Sequence, residues 1–334
     1  MSHPTGPVWD AICGISRFAA LSTMAELGCA DELADGPLGA EELAVRCGAH
    51  APSLRRVMRE LASMGIVRSV GADSFELTEH GRTMRSDVPD SVRSAVRMIA
   101  EGGFWYAMGN LPETVRQGRS AFVEKHGHLY EYLAANPDSS RTFDDYMTAR
   151  ATPFASAVAE RYDFSQVATM VDVAGGKGHI LAEVLRAHPG TRGVLFDMEH
   201  VVGGAVEYFA AQGLAERCEV VAGDFFGEIP QNADAYLLAS ILHNWDDNDS
   251  VRILRNIREA ISEDGRLLIL EMVLPDEDVP HIGKDVDMRM LAIFDGGAER
   301  TRAEYAALLE KAGFTLNQVI PLTAGASLVE ALPA

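Results

Sequence analysis

Two hydrophobic rhythms divide this chain. In the first half, apolar residues return at helical spacing; in the second, short apolar runs alternate with amphipathic stretches. Residues 9–27 follow the helical spacing and stop at Gly28, and residues 40–47 stop at Gly48. Residues 52–64 place Leu54, Val57, Met58 and Leu61 on one face. Segments 66–70 and 74–77, joined by Gly71-Ala72-Asp73, read as a β-hairpin, so the order helix, turn, helix, hairpin makes a winged-helix pattern. Segments 92–117 and 129–162 are again helical and carry an aromatic and methionine stripe that includes Trp105, Phe143 and Met147. Such a stripe serves as core or walls a pocket for a flat ligand. His126 and His128 flank a glycine in a polar stretch that reads as a loop.

From residue 164 the rhythm changes. Runs at 170–173, 193–196, 218–221, 235–239 and 267–272 read as strands separated by helices, one of them marked by Val251, Leu254, Ile257 and Ile261. This alternation predicts an α/β fold with a doubly wound parallel sheet. The expected organisation is a small domain over 1–92 and a larger one over 93–334, with a helical segment 93–163 leading into a sheet core 164–334.

Composition then excludes several classes. The 334 residues carry a formal charge of −20. That acidity disfavours nucleic acid, whose phosphates need a basic face, even though Arg55, Arg56 and Arg59 sit where a recognition helix would carry them. A solvated packing face is the plainer reading of those arginines. Four scattered cysteines form no CxxC pair, which argues against a disulfide framework or zinc cluster. No signal peptide and no membrane-spanning run are evident, so the expected setting is cytoplasmic.

The most informative stretch is Val171-Asp172-Val173-Ala174-Gly175-Gly176-Lys177-Gly178-His179. A buried strand, a glycine turn and a helix N-terminus offer a ligand close backbone approach and free N–H groups. Alone, the motif fits dinucleotide binding, nucleoside binding or a plain tight turn. Ligands in such sheets bind at the carboxyl ends of strands, which makes the following residues a candidate site. The second strand ends in Asp197, where a carboxylate can accept from ribose hydroxyls. The third is followed by Asp224-Phe225, a carboxylate and an aromatic suited to a flat base. The fourth leads to His243-Asn244-Trp245 and the fifth carries Glu271. Leu181 stands where a dinucleotide fingerprint has its third glycine. That favours S-adenosylmethionine over a nicotinamide cofactor.

VDVAGGKG (171–178), LFDMEHVV (195–202), GDFF (223–226), ILHNWDD (241–247), LLILE (267–271) and GGAERT (296–301) follow one another in this order. With them, nearly the whole chain resembles the S-adenosylmethionine-dependent O-methyltransferases that carry an N-terminal dimerisation domain. That family includes caffeate, isoflavone and acetylserotonin methyltransferases and many bacterial natural-product enzymes. The resemblance implies a class I methyltransferase Rossmann-like sheet behind a winged-helix dimerisation domain, a homodimer, and S-adenosylhomocysteine as a product. It implies that Asp172, Gly175 and Gly176 contact the methionine part of the cofactor, Asp197 the ribose, and Asp224 with Phe225 the adenine. It makes His243 the catalytic base, oriented by Glu271 and Glu299. Trp105, Phe143, Met147, Asn244, Met290 and Phe294 become candidate substrate contacts.

The chain departs from the family at three places. Ala174 replaces the usual glycine, Asn244 replaces an aspartate, and Ala239, followed by Ser240, stands where many members have a cofactor-contacting lysine. The chemistry agrees with the resemblance. A phenol titrates near 10 and histidine near 6.5, so a placed histidine can take the phenolic proton as a methyl group arrives. Asp246, Asp247 and Asp249 are read as a helix N-cap rather than a magnesium site. The expectation is a metal-independent O-methyltransferase acting on an aromatic small molecule of bacterial secondary metabolism. The alternatives are a cofactor-binding relative with other chemistry and, less favoured, a winged-helix regulator.

Overall fold

The computed structural model describes residues 5–334. These fall into two units: the chain up to Trp105 together with Leu133–Ala149, and Tyr106–Tyr132 together with Arg150–Ala334. The helical segment 93–163 is therefore shared between the units.

In the first unit, helices Gly6–Glu26, Ala40–Arg46 and Ala51–Ser63 pack around Met24, Leu43, Leu54, Met58 and Leu61. Strands β1 (Leu38–Gly39), β2 (Val67–Val70) and β3 (Ser74–Leu77) form an antiparallel sheet in the order β1-β3-β2. This is the expected helix–helix–hairpin arrangement. Arg55 pairs with Asp73 in the hairpin turn, and Arg56 and Arg59 lie exposed. Segment 92–117 is helical as expected, divided into Arg93–Ile99, Gly102–Gly109 and Leu111–Gln117, the last of which belongs to the second unit. Pro112 opens the last of these, where its missing N–H costs nothing.

The second unit is built on β4 (Thr169–Val173), β5 (Arg192–Asp197), β6 (Cys218–Ala222), β7 (Ala235–Ala239), β8 (Arg266–Leu274), the two-residue β9 (Arg300–Thr301), β10 (Phe314–Pro321) and β11 (Ala326–Pro333). The sheet order is β10-β11-β8-β7-β4-β5-β6, with β9 beside β8. Strands β4 to β8 pair in parallel as expected, but β10 and β11 pair antiparallel. The expected parallel sheet is thus a mixed one. The link from Pro321 to Ala326 is too short for a crossover, so those two strands can only form a hairpin. Period-two alternation feeds two cores: Leu237 and Leu268 face one helical layer, Tyr236 and Leu267 the other.

Parallel pairing places the carboxyl ends of β4 to β8 at one edge. At that edge Ala174 adopts φ +55°, with its N–H donated to the Phe196 carbonyl at 2.7 Å. An L-residue in this region is strained by about 1–2 kcal/mol, which glycine would relieve. Glycine gives back roughly 0.4–1 kcal/mol through unfolded-chain entropy. Ala174→Gly is therefore expected to stabilise the protein by about 0.5–1 kcal/mol. A rise in the urea midpoint at constant slope checks this; a fall contradicts it.

Candidate active site

After β7 the chain turns sharply at Ser240, whose φ is +58°. A single 3-10 turn, Leu242–Asn244, then carries His243. Glu271 comes from within β8 and Glu299 from the residue before β9. The topology thus joins three side chains far apart in sequence, each at most 4% exposed. His243 Nδ1 shares a 2.7 Å hydrogen bond with Glu299 Oε1 and lies 3.4 Å from Glu271 Oε2. The Ile241 N–H donates to Glu271 Oε1 at 2.8 Å and the His243 N–H reaches the same atom at 3.4 Å. Glu271 therefore fixes the backbone that carries His243, while Glu299 fixes the ring.

The surrounding loop is fixed as tightly. The Ala298 N–H donates to the His243 carbonyl at 2.9 Å, and a Cβ on Gly297 would come within 2.9 Å of that oxygen, so only glycine fits. Buried Arg300 donates to the Leu242 and Trp245 carbonyls, both at 2.9 Å, and pairs with Asp247 at 3.0 Å. Sequence reading did not single out Arg300. Its only sequence signal is a charge inside the GGAERT stretch, and its partners come from another loop. Asp246 caps the helix Asp247–Ala260 by accepting from the Asp249 N–H at 2.9 Å, the role expected of it.

Burial dominates the electrostatics. It lowers the His243 pKa and raises that of Glu271, and it pushes Glu299 up to about 8 against the opposing pull of the Arg150 charge. Donor atoms of His243, Glu271 and Glu299 lie within 4.8 Å of one another, a set that could also hold a cation.

A second cluster sits at the glycine turn. Asp172 is 1% exposed, and neither carboxylate oxygen has a hydrogen-bond partner among the described residues. Burial, and then the neighbouring Asp197 charge, push its carboxyl up to about 7. A Cβ on Gly175 would lie 2.5 Å from that carboxylate, so the turn leaves room for nothing bulkier than glycine. Asp197 accepts from the Gly176 N–H at 2.8 Å and the Met198 N–H at 2.7 Å, which ties β5 to the turn. Asp224 is exposed and accepts from the Phe226 N–H at 2.8 Å, and Phe225 packs edge-on against Phe226 and Trp245. Ala239 and Ser240 are half-buried at the end of β7. Orphaned acid oxygens, a glycine cradle and an aromatic edge suit a cationic amino-acid group joined to a nucleoside.

Of the candidate substrate residues, Asn244 lies beside the base and donates to the Ser240 carbonyl at 3.4 Å. Met290 lies near the end of helix Ile282–Ile293, and Phe294 caps it; both are half-buried. Trp105, Phe143 and Met147 belong to the first unit, where Trp105 stacks on Phe18 with ring centroids 5.4 Å apart. His126 is not in a loop, as the polar sequence suggested. It ends the helix Ala121–His126, and its ring packs on Phe122, Tyr106 and Tyr132. A separate cavity of about 540 Å³ lies in the first unit, but its charged lining residues are engaged: Glu26 pairs with Arg97, Asp138 pairs with Arg141, and Glu101 accepts from Ser139.

An acid whose carboxyl is raised on folding holds its proton longer than the unfolded chain does. Its contribution is present below about pH 4 and is lost as pH rises through about 7. The ligand-free protein should therefore lose stability between pH 5 and 8, and Asp172→Asn should remove part of that loss. Urea midpoints at the two pH values test this. An unchanged slope in the variant contradicts it.

Comparison with known proteins accords with this geometry. Residues 108–315 match an O-methyltransferase domain and residues 9–87 an O-methyltransferase dimerisation domain. The phenazine O-methyltransferase PhzM of Lysobacter antibioticus is 40% identical over 94% of this chain and 92% of its own length. The crystal structure of LaPhzM superposes with a TM-score of 0.92 at 38% identity, covering all of both chains. The neocarzinostatin O-methyltransferase NcsB1, crystallised with S-adenosylmethionine and 2-hydroxy-5-methyl naphthoic acid, has a TM-score of 0.83 at 33% identity over 95% of this chain and 96% of its own. A relative with another chemistry, the aclacinomycin 10-hydroxylase RdmB of Streptomyces purpurascens, is 34% identical over 89% of this chain and 81% of its own length. With both domain matches and relatives along nearly its whole length, the chain belongs to the S-adenosylmethionine-dependent O-methyltransferase family that carries a dimerisation domain.

Proposed function

We propose that the protein transfers a methyl group from S-adenosylmethionine to a hydroxyl of an aromatic small molecule, with His243 as general base and without a metal. The observation that carries this reading is the commitment of His243 Nδ1 to Glu299 at 2.7 Å, which makes Nε2 the nitrogen available to take a proton. When bound, the sulfonium supplies an activated methyl group. The protein's task is then to align an oxygen and remove its proton. Nε2 takes the O–H proton as the oxygen accepts the methyl group, and Glu299, with Glu271 beside it, stabilises the positive ring. Burial keeps the imidazole neutral and ready to accept.

Asp172, Gly175 and Gly176 would hold the amino-acid end of the cofactor, Asp197 the ribose, and Asp224 with Phe225 the base. Ala239 and Ser240 would line the same groove. Asn244, Met290 and Phe294 would bound the acceptor. NcsB1, bound to a naphthoic acid, supports a fused aromatic ring as acceptor. Metal-free operation is supported at the histidine, whose Nδ1 is committed to Glu299. Val8, Trp9, Ile12 and Ile15 are more than half exposed along one helix, an apolar stripe that supports a homodimer. Among the described residues no helix is long and apolar enough to cross a membrane, and the four cysteines are free, which supports a cytoplasmic enzyme.

The second reading, a cofactor-binding relative with other chemistry, is supported by RdmB. One assay series separates the two, with phenols as acceptors and S-adenosylhomocysteine as readout. Wild type should release S-adenosylhomocysteine in step with methylated product, and chelator should leave the rate unchanged. His243→Gln should lower kcat by about 10²–10⁴-fold while calorimetry shows cofactor affinity within about threefold of wild type. Near wild-type turnover in the variant overturns the base, and loss of activity with chelator overturns the metal-free reading.

A further inference from the structure

Two of the four cysteines meet inside the first unit. Cys29 opens the short helix Cys29–Glu32, and Cys47 caps the C-terminal end of helix Ala40–Arg46. They are 18 residues apart in sequence, yet their thiols share a hydrogen bond with the sulfurs 3.6 Å apart. Cys29 is fully buried and Cys47 half-buried, so Cys47 is the sulfur that a small reagent in solvent meets first. The other two cysteines stand elsewhere. Cys13 lies on helix Gly6–Glu26, and Cys218 opens β6, where its thiol donates to the Glu219 carbonyl at 3.6 Å. Among the described residues no third metal-ligating side chain joins Cys29 and Cys47, so the pair does not make a zinc cluster.

The geometry is close to that of a bond. A disulfide holds its sulfurs about 2.05 Å apart, so this contact has to close by roughly 1.5 Å. Both residues stand at helix ends, beside the left-handed Gly28 and Gly48. An end residue is held by helix hydrogen bonds on one side only and gives by that distance at less cost than one within a helix. Burial raises both thiols, so the resting pair is protonated and inert to weak oxidants. Against burial, the hydrogen bond with Cys29 pulls the Cys47 thiol down, whereas the neighbouring Cys47 pushes Cys29 further up. Cys47 is thus the sulfur that ionises and attacks, and Cys29 the one that follows.

We propose that Cys47 and Cys29 are an oxidation site for hydroperoxides, closing to a disulfide that staples the first unit. The Cys47 thiolate attacks a peroxide oxygen and the O–O bond breaks. Cys47 becomes a sulfenic acid, and the released hydroxide takes up the proton that Cys47 had given up. The Cys29 sulfur then displaces the sulfenic hydroxyl, which leaves as water with the Cys29 proton. Two thiols lose two electrons, and one hydrogen peroxide is reduced to two waters. The new bond ties helix Cys29–Glu32 to the end of Ala40–Arg46 beside Leu33, Leu43 and Ala44. Closing that loop removes conformations from the unfolded chain and so favours the folded one. The staple lies within residues 9–87, the stretch that matches the dimerisation domain. Neither thiol takes part in methyl transfer, so the two readings stand or fall separately.

The test uses reduced full-length protein, freed of reductant and treated with a small excess of hydrogen peroxide. Trypsin without reductant should yield peptide 18–46, which carries Cys29, joined to peptide 47–55, which carries Cys47, and dithiothreitol should separate them. The melting temperature should rise by about 3–6 °C and fall back with dithiothreitol. In Cys29→Ala the same treatment should leave Cys47 as a sulfenic acid that dimedone traps. Cys47→Ser, changed at the half-buried end, should melt like reduced wild type and keep Cys29 reduced. A Cys47 that stays a thiol in treated wild type, or that goes on to sulfinic acid while Cys29 stays free, overturns the proposal. So does a bond from either sulfur to Cys13 or Cys218, or a disulfide that forms without raising the melting temperature.

Discussion

The buried hydrogen bond between His243 Nδ1 and Glu299 is the constraint on which the rest of this site depends. An imidazole has two nitrogens, and only a fixed partner on one decides what the other can do. Here the partner is itself almost fully buried, so it cannot exchange its role with water. Holding two glutamates beside a histidine in the interior is unfavourable by itself, as the raised Glu271 and Glu299 carboxyls show. The fold offsets that with short-range geometry. Backbone N–H groups bond Glu271, the GGAER loop seats on the His243 carbonyl, and Arg300 ties the loop to the start of the next helix.

The same sheet edge solves two separate problems. The glycine turn after β4 presents a buried carboxylate with no partner of its own, whereas the turn after β7 presents a base whose Nδ1 is held by a carboxylate. One is built to receive a charged group, the other to receive a proton. Left-handed Ala174 and Ser240 stand at these two turns, so local strain is concentrated where the chain leaves a buried strand for the site. The parallel strands make this arrangement natural, because every carboxyl end opens on one side.

Much of this was legible in the sequence, for identifiable reasons. Buried parallel strands appear as uninterrupted apolar runs, and the residues after them are the site by topology. The N-cap role of Asp246 is local and was read correctly. What sequence reading missed has no local signature. The hairpin β10–β11 escaped notice because β10 is largely half-exposed, with polar Asn317 and Gln318 within it, and β11 mixes alanine with a buried Glu330. His126 looked like a loop residue because the aromatics that cover it lie in other helices. Arg300 is a single charge whose meaning depends on which distant groups face it, and the linear sequence does not encode that.

The central claim, that Glu299 fixes the proton of His243 on Nδ1 and leaves Nε2 open, is tested most directly by ¹⁵N NMR of histidine-labelled protein with S-adenosylhomocysteine bound. At pH 8.5, above the value of about 8 to which burial pushes Glu299, the spectrum should show a neutral His243 protonated on Nδ1 with a bare Nε2. A neutral ring protonated on Nε2, or an imidazolium at that pH, would contradict the account.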